Sequence, residues 1–479
     1  MLVASTACAP TGAGSSSGGN RIVTPPPETA QPAGTPSPGG AQAVPTTTAA
    51  RPQAPGEAMS SADLRVAYQA LLDTYVDPVD GGQLIQAAAQ ALRQDVAAQA
   101  TLPMIALPLG LLPAAGTGDA AKDWQGFGDA YDSVVGKMPA WAADKHPDWT
   151  VLRSMAGSLH DGHTTFLTPD DVKRRTETSF AGIGVVLAKS EDNSQPLVGE
   201  VIPNSPAASS HLQRGDRILA VEGTDITGLS VSDVAQLIRG ENGTTVHLKV
   251  QRKNAPAALD VAIKRAMVQV DQVTAAVGLL GTVPIGYLRI RGFASSQVAD
   301  NALGYLQVAQ QRGIKGWIVD LRGNSGGDLR TVLAVAGGFL NQDQAVVGYE
   351  VDRQRRQTPL TSDPLDLTKD IKVVLLVDKD TASGAEIIAA ALQEAKVATL
   401  IGTKTAGNVG VATAVPLADG SMLQVTNHRF VSPSGVQLDG TGVTPDVEVP
   451  MTDADIVNND DPQRTKALAV VAQELGLAH

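Results

Sequence analysis

Between about Val268 and Pro450, apolar runs of strand length alternate with amphipathic runs of helix length, and this alternation restricts the fold most. The strand-like runs are IGYLRIRGF, GWIVDLRG, KVVLLVDK and ATLIGTK. The runs between them have apolar residues at helical spacing and are ASSQVADNALGYLQVAQQRG, DLRTVLAVAGGFL and SGAEIIAAALQEA. This order predicts an α/β sheet with helices packed on it.

A strand-rich insert precedes this region. From Ser179 onward, GIGVVLA, PLVGEVI and TTVHLKVQR have the pattern of strands. The turn Phe180-Ala181-Gly182-Ile183-Gly184-Val185, followed by SPAASSHLQRGDRILAVEGTDI, resembles a PDZ domain. The resemblance implies that backbone N–H groups of Ile183, Gly184 and Val185 bind the terminal carboxylate of a peptide, whose chain pairs with the adjacent strand edge.

Helical spacing of apolar residues marks the chain from Ala62 to Leu92, and again from about Trp124 to Leu159. Ahead of these stretches, Pro, Gly, Ser, Thr and Ala predominate, and too few large apolar side chains are present to offset chain entropy. We therefore predict a multidomain protein of α+β and α/β class. Its parts are a signal remnant and linker (1–57), an N-terminal helical domain (58–175), a β-rich PDZ domain (176–266), an α/β catalytic core (267–455) and a C-terminal helix (456–479).

Charge and cysteine content exclude several classes of function. Asp and Glu total 49 against 37 Lys and Arg, and no basic run suits a phosphate backbone, so we expect no nucleic-acid partner. One cysteine, Cys8, permits neither an intrachain disulfide nor a thiolate zinc cluster. The sequence contains no metal or organic cofactor motif, and no cofactor is predicted. The apolar stretch Thr101 to Thr117 contains prolines and is shorter than the roughly 20 residues of a spanning helix, which predicts an insertion.

The first eight residues resemble the end of a bacterial lipoprotein signal, because small residues precede Cys8 and a Gly/Ser-rich spacer follows it. This resemblance implies lipid attachment at Cys8, a membrane anchor and an extracytoplasmic protein of the cell envelope; a secreted protein is the other form of this prediction. The charged and long apolar regions of a signal peptide are missing from the sequence. The alternative interpretation makes Cys8 a free thiol in a linker.

Four short segments occur in a specific order around the PDZ-like insert. They are Asp161-Gly162-His163-Thr164, Asp320-Leu321-Arg322-Gly323-Asn324-Ser325-Gly326-Gly327, Thr381-Ala382-Ser383-Gly384-Ala385-Glu386 and Gly442-Val443-Thr444-Pro445-Asp446. In this order they resemble the carboxyl-terminal processing (tail-specific) serine peptidases. The resemblance implies a serine endopeptidase that acts on polypeptides with flexible C-termini.

Ser383 follows the apolar run VVLLVD and opens the helical pattern AEIIAAALQEA, which predicts an exposed strand-to-helix turn. Within the family pattern, Ser383 is the nucleophile that forms an acyl-enzyme. The N–H groups of Gly384 and Gly326 are then the expected oxyanion donors. In the alternative interpretation, Ser383 only caps a helix and the glycines only form turns.

The chain departs from the better-known branch of this family, in which a lysine activates the serine within a motif resembling TFGKGSVQ. The matching segment here places Asn408 at the lysine position and Ala412 at the glutamine position. Neither side chain takes up a proton at neutral pH, so the usual Ser-Lys dyad is excluded.

Three interpretations remain: two assign a different base, and the third assumes no catalysis. A related branch, resembling the tricorn core and interphotoreceptor retinoid-binding proteins, implies His163 as the base, with Asp439 to orient it. This chain is expected to be closer to that branch. Lys404 is the second alternative. The third is a catalytically inactive homologue that binds peptides or another ligand. His160 and His428 lie near the motif segments, but only His163 matches the DGHT pattern.

Overall fold

A computed structural model describes residues 58–98, 107–139, 145–176, 179–192, 194–340, 344–362, 365 and 367–477. The predicted linker and its Cys8 lie outside these residues, as does the start of the apolar stretch near residue 101. The described part of that stretch contains a short 3₁₀ turn at Leu109–Leu111. No helix in the described part of the chain is long and apolar enough to span a membrane.

Helices dominate the first part of the described chain, as predicted. They are α1 (Ser61–Thr74), α2 (Gly81–Ala98), α3 (Ala120–Val135) and α4 (Pro147–Gly157), followed by β1 (Thr165–Leu167) and α5 (Pro169–Thr176). The side chains of Ser60 and Asp63 bond reciprocally with each other's backbone and start α1. The apolar face of α1 is buried, and its Tyr68 lies against Trp124 with ring centroids 4.7 Å apart.

The predicted helical stretch from Trp124 to Leu159 contains helices α3 and α4 among its described residues. Pro139 follows the end of α3, and Pro147 begins α4, since proline lacks the N–H that a helix interior requires and fits only the first turn.

A β-rich module follows, in the place of the predicted PDZ domain. Its elements are β2 (Ser179–Gly182), β3 (Val185–Ala188), β4 (Leu197–Val201), α6 (Pro206–Ser209), β5 (Arg217–Val221), β6 (Thr224–Asp225), α7 (Val231–Ile238), β7 (Thr245–Gln251), β8 (Leu259–Lys264) and β9 (Ala266–Gln269). The main sheet has the order β3-β4-β5-β7-β8, so β3 is an edge strand. Helix α7 contacts β3 and β5, and its apolar residues Val234 and Ile238 are buried in the module core.

The third part is the predicted α/β domain. Its elements are β10 (Val273–Leu280), β11 (Val283–Ile290), α8 (Ser296–Gln311), β12 (Gly316–Asp320), α9 (Leu329–Gly337), β13 (Ala345–Val351), β14 (Gln357–Ser362), β15 (Lys372–Val377), α10 (Gly384–Glu394), β16 (Ala398–Gly402), β17 (Gly410–Pro416), β18 (Met422–Val431), β19 (Val447–Glu448), α11 (Asp453–Asn458) and α12 (Pro462–Glu474). The main sheet has the order β10-β11-β12-β15-β16-β19 and is parallel from β11 onward. Helices α8, α9 and α10 belong to one core cluster, and α12 packs on the sheet in another. The sheet is therefore covered by helices, as the alternation of runs predicts.

A second sheet joins the N-terminal helical part to the α/β domain. Strand β1, from the helical part, pairs antiparallel with β18, and β18 also pairs with β13 and β17. Leu423 and Val425 of β18 are buried among the N-terminal helices. The loop that precedes β1, which contains His163, is consequently held against the α/β domain.

Candidate active site

Ser383 lies at the expected strand-to-helix turn, between the end of β15 and the first residue of α10. Its backbone has φ 54° and ψ −122°, outside the regions that non-glycine residues normally occupy. Such strain persists only where surrounding contacts enforce it, and it is typical of a nucleophile presented on a sharp turn.

The buried carboxylate of Glu386 provides those contacts. It accepts hydrogen bonds from the N–H groups of Ser383 (3.1 Å), Gly407 (2.8 Å) and Asn408 (2.9 Å), and from the Thr405 hydroxyl. The carboxylate therefore ties the serine turn to the segment that precedes β17. Glu386 was not among the predicted site residues, although its place three residues after Ser383 is the capping-box spacing.

The glycine loop after β12 lies directly against Ser383. A β-carbon on Gly326 would lie 2.6 Å from the Ser383 Cβ and 2.6 Å from the Gly384 nitrogen, so no larger residue fits there. The Gly326 N–H, an expected oxyanion donor, instead donates to Asn324 Oδ1 at 2.8 Å. Gly327, which sequence reasoning missed, lines the Ser383 cleft, and its N–H makes no hydrogen bond within the described residues.

His163 and Asp439 are in contact, although 276 positions separate them in the chain. The distance from His163 Nε2 to Asp439 Oδ1 is 3.1 Å. The side chain of His163 is 11% exposed and that of Asp439 is 43% exposed. The hydrogen bond with His163 holds the pKa of Asp439 below its usual value, so the carboxylate stays ionised beside the imidazole.

Asp161 shapes the loop that carries His163. Its carboxylate accepts the His163 N–H at 2.8 Å and the Thr164 hydroxyl at 2.7 Å. Thr164 in turn accepts the N–H of Thr426 in β18 at 3.1 Å. The DGHT segment is thereby anchored to the second sheet, and the imidazole is held beside Asp439.

The histidine and the serine line neighbouring clefts that share Gly410. A cleft of about 210 Å³ contains His163 and Asp439, and one of about 240 Å³ contains Ser383 and Gly384. Among the described residues, no hydrogen bond joins Ser383 Oγ to the His163 ring.

Gly410 is the residue against which the imidazole rests. A β-carbon there would lie 2.4 Å from Cδ2 of His163. A β-carbon at this position would displace the ring. With His163 as the base that the family resemblance implies, we expect Gly410→Ala to lower kcat about tenfold to a hundredfold, since small displacements of catalytic groups have effects of this size. The measurement is peptidase activity together with a thermal unfolding curve. The control is Gly304→Ala in α8, where a β-carbon meets open space. Gly435→Ala would not serve, because Gly435 has a positive φ. Full activity of Gly410→Ala would contradict the expectation.

The other predicted positions differ in their relation to these clefts. The Asn408 carbonyl accepts the Ser383 N–H at 2.9 Å, and Ala412 lines the Ser383 cleft. Lys404 is exposed and lines neither cleft. His160 and His428 line the cleft of His163.

The predicted carboxylate-binding turn joins β2 to β3. Gly184 has φ 82°, and a β-carbon there would lie 2.3 Å from the Ser205 Cβ, so glycine is required. The N–H groups of Ile183 and Gly184 make no hydrogen bond within the described part of the chain, whereas their carbonyls accept from Ala207 and Ile202. Val185 begins the edge strand β3.

Comparison with known proteins identifies two regions. Residues 284–449 match the family model of peptidase family S41, and residues 197–252 match that of the PDZ domain. The carboxy-terminal-processing protease of Bartonella bacilliformis is 29% identical over 67% of this chain and 74% of its own length. The carboxy-terminal processing protease CtpA of Bacillus subtilis is 29% identical over 71% of each chain.

Two solved structures have a similar fold. The photosystem II D1 C-terminal processing protease superposes with a TM-score of 0.50 at 23% identity, over 81% of this chain and 92% of its own. A putative S41 protease from Bacteroides fragilis superposes with a TM-score of 0.50 at 20% identity, over 66% of this chain and 87% of its own. Fold and sequence matches together define the class, a serine-type peptidase that carries a PDZ domain. Within this chain, residues 284–449 are the part that is similar to peptidase family S41.

Proposed function

We propose that the protein is an endopeptidase that cleaves polypeptides near flexible C-terminal tails, with Ser383 as nucleophile and His163 as general base. The contact between His163 and Asp439, in the cleft adjoining that of Ser383, is the observation that carries this proposal. Imidazole has a reference pKa of about 6.5 and suits proton transfer near neutrality.

The chemistry proceeds through an acyl-enzyme. With Nε2–H donating to Asp439, Nδ1 of His163 keeps the lone pair that accepts the Ser383 proton as Oγ attacks the scissile carbonyl. The N–H groups of Gly384 and Gly327 stabilise the oxyanion, and His163 returns the proton to the leaving amine. A water molecule that gives its proton to His163 then attacks the Ser383 ester, and His163 returns this proton to Oγ as the acid product leaves. This route needs His163 and Ser383 to come within hydrogen-bond reach when substrate binds.

The PDZ domain supplies tail capture. Among the described residues, the N–H groups of Ile183 and Gly184 have no hydrogen-bond partner and β3 is an edge strand, which suits a terminal carboxylate and an extended peptide. The relatives are described as carboxy-terminal processing proteases, which agrees with a tail-directed substrate class.

We also propose that Cys8 carries a lipid and anchors the protein in the cell envelope. This residue lies outside the described part of the structure, and the proposal rests on the sequence around it. The test is detergent-phase partitioning of the natively expressed protein against Cys8→Ser. Retention of the variant in the detergent phase would refute lipid attachment at this cysteine.

A fluorophosphonate probe tests the central proposal, because labelling requires an activated hydroxyl. The purified full chain is treated with the probe, the labelled residue is located by mass spectrometry, and cleavage of a loosely folded protein is followed in parallel. We expect labelling at Ser383, and the same result in Lys404→Ala. Loss of labelling in Lys404→Ala would make the lysine the base.

The second function is peptide binding without cleavage, which Asn408 at the family's lysine position favours. It predicts that the parent resists the probe and leaves the protein substrate intact, while still binding a C-terminal peptide. Labelling of Ser383 together with cleavage would exclude it.

A further inference from the structure

A glutamate of the PDZ domain is bonded to the catalytic domain close to the glycine loop. Glu200, in β4, accepts two hydrogen bonds from the Arg291 guanidinium, one at 3.0 Å from Nη1 and a shorter one from Nη2. Arg289 Nη2 lies 3.6 Å from the same carboxylate. The side chain of Glu200 is only 30% exposed. Burial alone would raise the pKa of Glu200, but the hydrogen bonds and charges of the two arginines lower it, so the glutamate is ionised.

Arg291 belongs to the segment that holds the glycine loop. Asn324 Nδ2 donates to the Ile290 carbonyl at 3.0 Å, and the Phe293 N–H donates to the Gly326 carbonyl at 2.8 Å. The Phe293 carbonyl accepts the Asp328 N–H at 2.7 Å. These bonds lie on both sides of Arg291 and join its backbone segment to the loop against which Ser383 rests.

A second connection runs through buried charges. Arg289 Nη1 donates to the fully buried Asp320 at 3.1 Å, and Arg322 donates to the same carboxylate at 2.7 and 2.9 Å. Arg322 is at the start of the glycine loop and also bonds Asp461 at 3.0 Å. The carboxylate of Glu200 thus faces one end of a continuous ionic network that also contains Arg322, at the start of the glycine loop.

Glu200 is also close to the tail-binding edge. It pairs with Val186 of the edge strand β3. Two residues further along the chain, the Ile202 N–H donates to the Gly184 carbonyl at 3.0 Å. One strand therefore separates the groove from the contact with Arg291.

We propose that Glu200 is a positioning residue through which the PDZ domain holds the glycine loop in register with Ser383. The proposal rests on the proposed peptidase mechanism. Glu200 touches no reacting atom; it acts through Arg291 and the backbone bonds of residues 290–293. Its loss therefore lowers the rate of acylation and leaves tail affinity intact.

The chain offers a matched control at a separate contact between the two domains. Arg217 of the PDZ domain pairs with Asp453 of α11 at 3.2 Å, and this pair has no bond to the glycine loop. Asp453→Asn loosens the docking of the domain, whereas Glu200→Gln removes the connection to the loop. The two variants separate a general docking effect from the specific one.

The experiment compares the parent, Glu200→Gln, Asp453→Asn, Arg291→Gln and the Glu200→Gln/Arg291→Gln double variant. A short peptide substrate with an amidated end gives kcat and KM, and anisotropy of a labelled C-terminal peptide gives tail affinity. Amide hydrogen exchange reports on residues 324–328. We expect Glu200→Gln to lower kcat about tenfold to a hundredfold, to speed exchange in this loop and to leave tail affinity unchanged. The double variant should lose no more than the larger single effect.

Either of two results would overturn the proposal: kcat and loop exchange of Glu200→Gln that match the parent, or equal effects in Asp453→Asn. Exchange is measured without turnover, so it decides the role of Glu200 even if the parent fails to label with the fluorophosphonate. In that case the peptidase mechanism fails and the structural coupling is judged separately. A thermal unfolding curve for each variant identifies any that do not fold, and Glu200→Asp then replaces the glutamine variant.

Discussion

Substitution of Ser383 or His163 by alanine is expected to lower kcat/KM about 10⁴-fold or more, because each removes a group that forms or breaks bonds in the proposed reaction. Loss of the hydroxyl removes the nucleophile. Loss of the imidazole leaves the hydroxyl protonated near neutral pH. Since the two act as a unit, the double variant should be no less active than either single one. The measurement is cleavage of a loosely folded protein and of a short peptide, followed by mass.

His160→Ala and His428→Ala are the matched controls, since both residues line the same cleft as His163. They should retain activity within about tenfold of the parent, because neither contacts Asp439 in the described hydrogen-bond network. Full activity of His163→Ala, with Ser383→Ala inactive, would require another base, beginning with Lys404. Persistent cleavage by Ser383→Ala would remove the serine mechanism altogether.

Replacement of Glu386 by glutamine is expected to reduce both stability and activity. The glutamine amide would present N–H groups to the N–H donors of Ser383, Gly407 or Asn408, and would leave at least one of these part-buried donors unpaired. We expect the loss of this hydrogen bond to lower the free energy of unfolding by about 1–2 kcal/mol. The serine turn would also relax, which should lower kcat about a hundredfold.

Urea unfolding and kinetic assays on the same preparations measure the two effects. Glu394→Gln, at the other end of α10, is the control, because its carboxylate bonds the exposed Ser434 instead of the catalytic turn. We expect the control to change stability by about 0.5 kcal/mol or less. If Glu386→Gln is as stable and active as the control, the carboxylate does not position Ser383.

Local sequence patterns predicted the elements that local forces determine. The apolar run before Ser383 and the helical spacing after it were sufficient for the strand-to-helix turn, since both patterns are contained within some 20 residues. Helical spacing alone did not give the helix boundaries within the stretch from Trp124 to Leu159. Pro139 follows the end of α3, and Pro147 begins α4.

Features of the site that depend on distant contacts were not accessible in this way. The Gly326 N–H bonds the Asn324 side chain, and no sequence pattern shows which N–H groups of the glycine loop are already bonded. The need for glycine at position 410 arises from His163, which approaches only through pairing of β1 with β18. The proximity of His163 to Asp439 was expected only from the resemblance to known peptidases, because no sequence period connects residues so far apart. Their catalytic roles stay predictions.

The pairing of β1 with β18 has a consequence for biosynthesis. In a chain emerging from the ribosome, the histidine loop is made early, the serine turn much later, and Asp439 later still. The strand that fixes the histidine loop against the catalytic domain becomes available only when β18 has been synthesised. In the proposed mechanism, a nascent or prematurely terminated chain thus lacks an assembled catalytic centre, and we expect activity only once β18 and Asp439 have been synthesised.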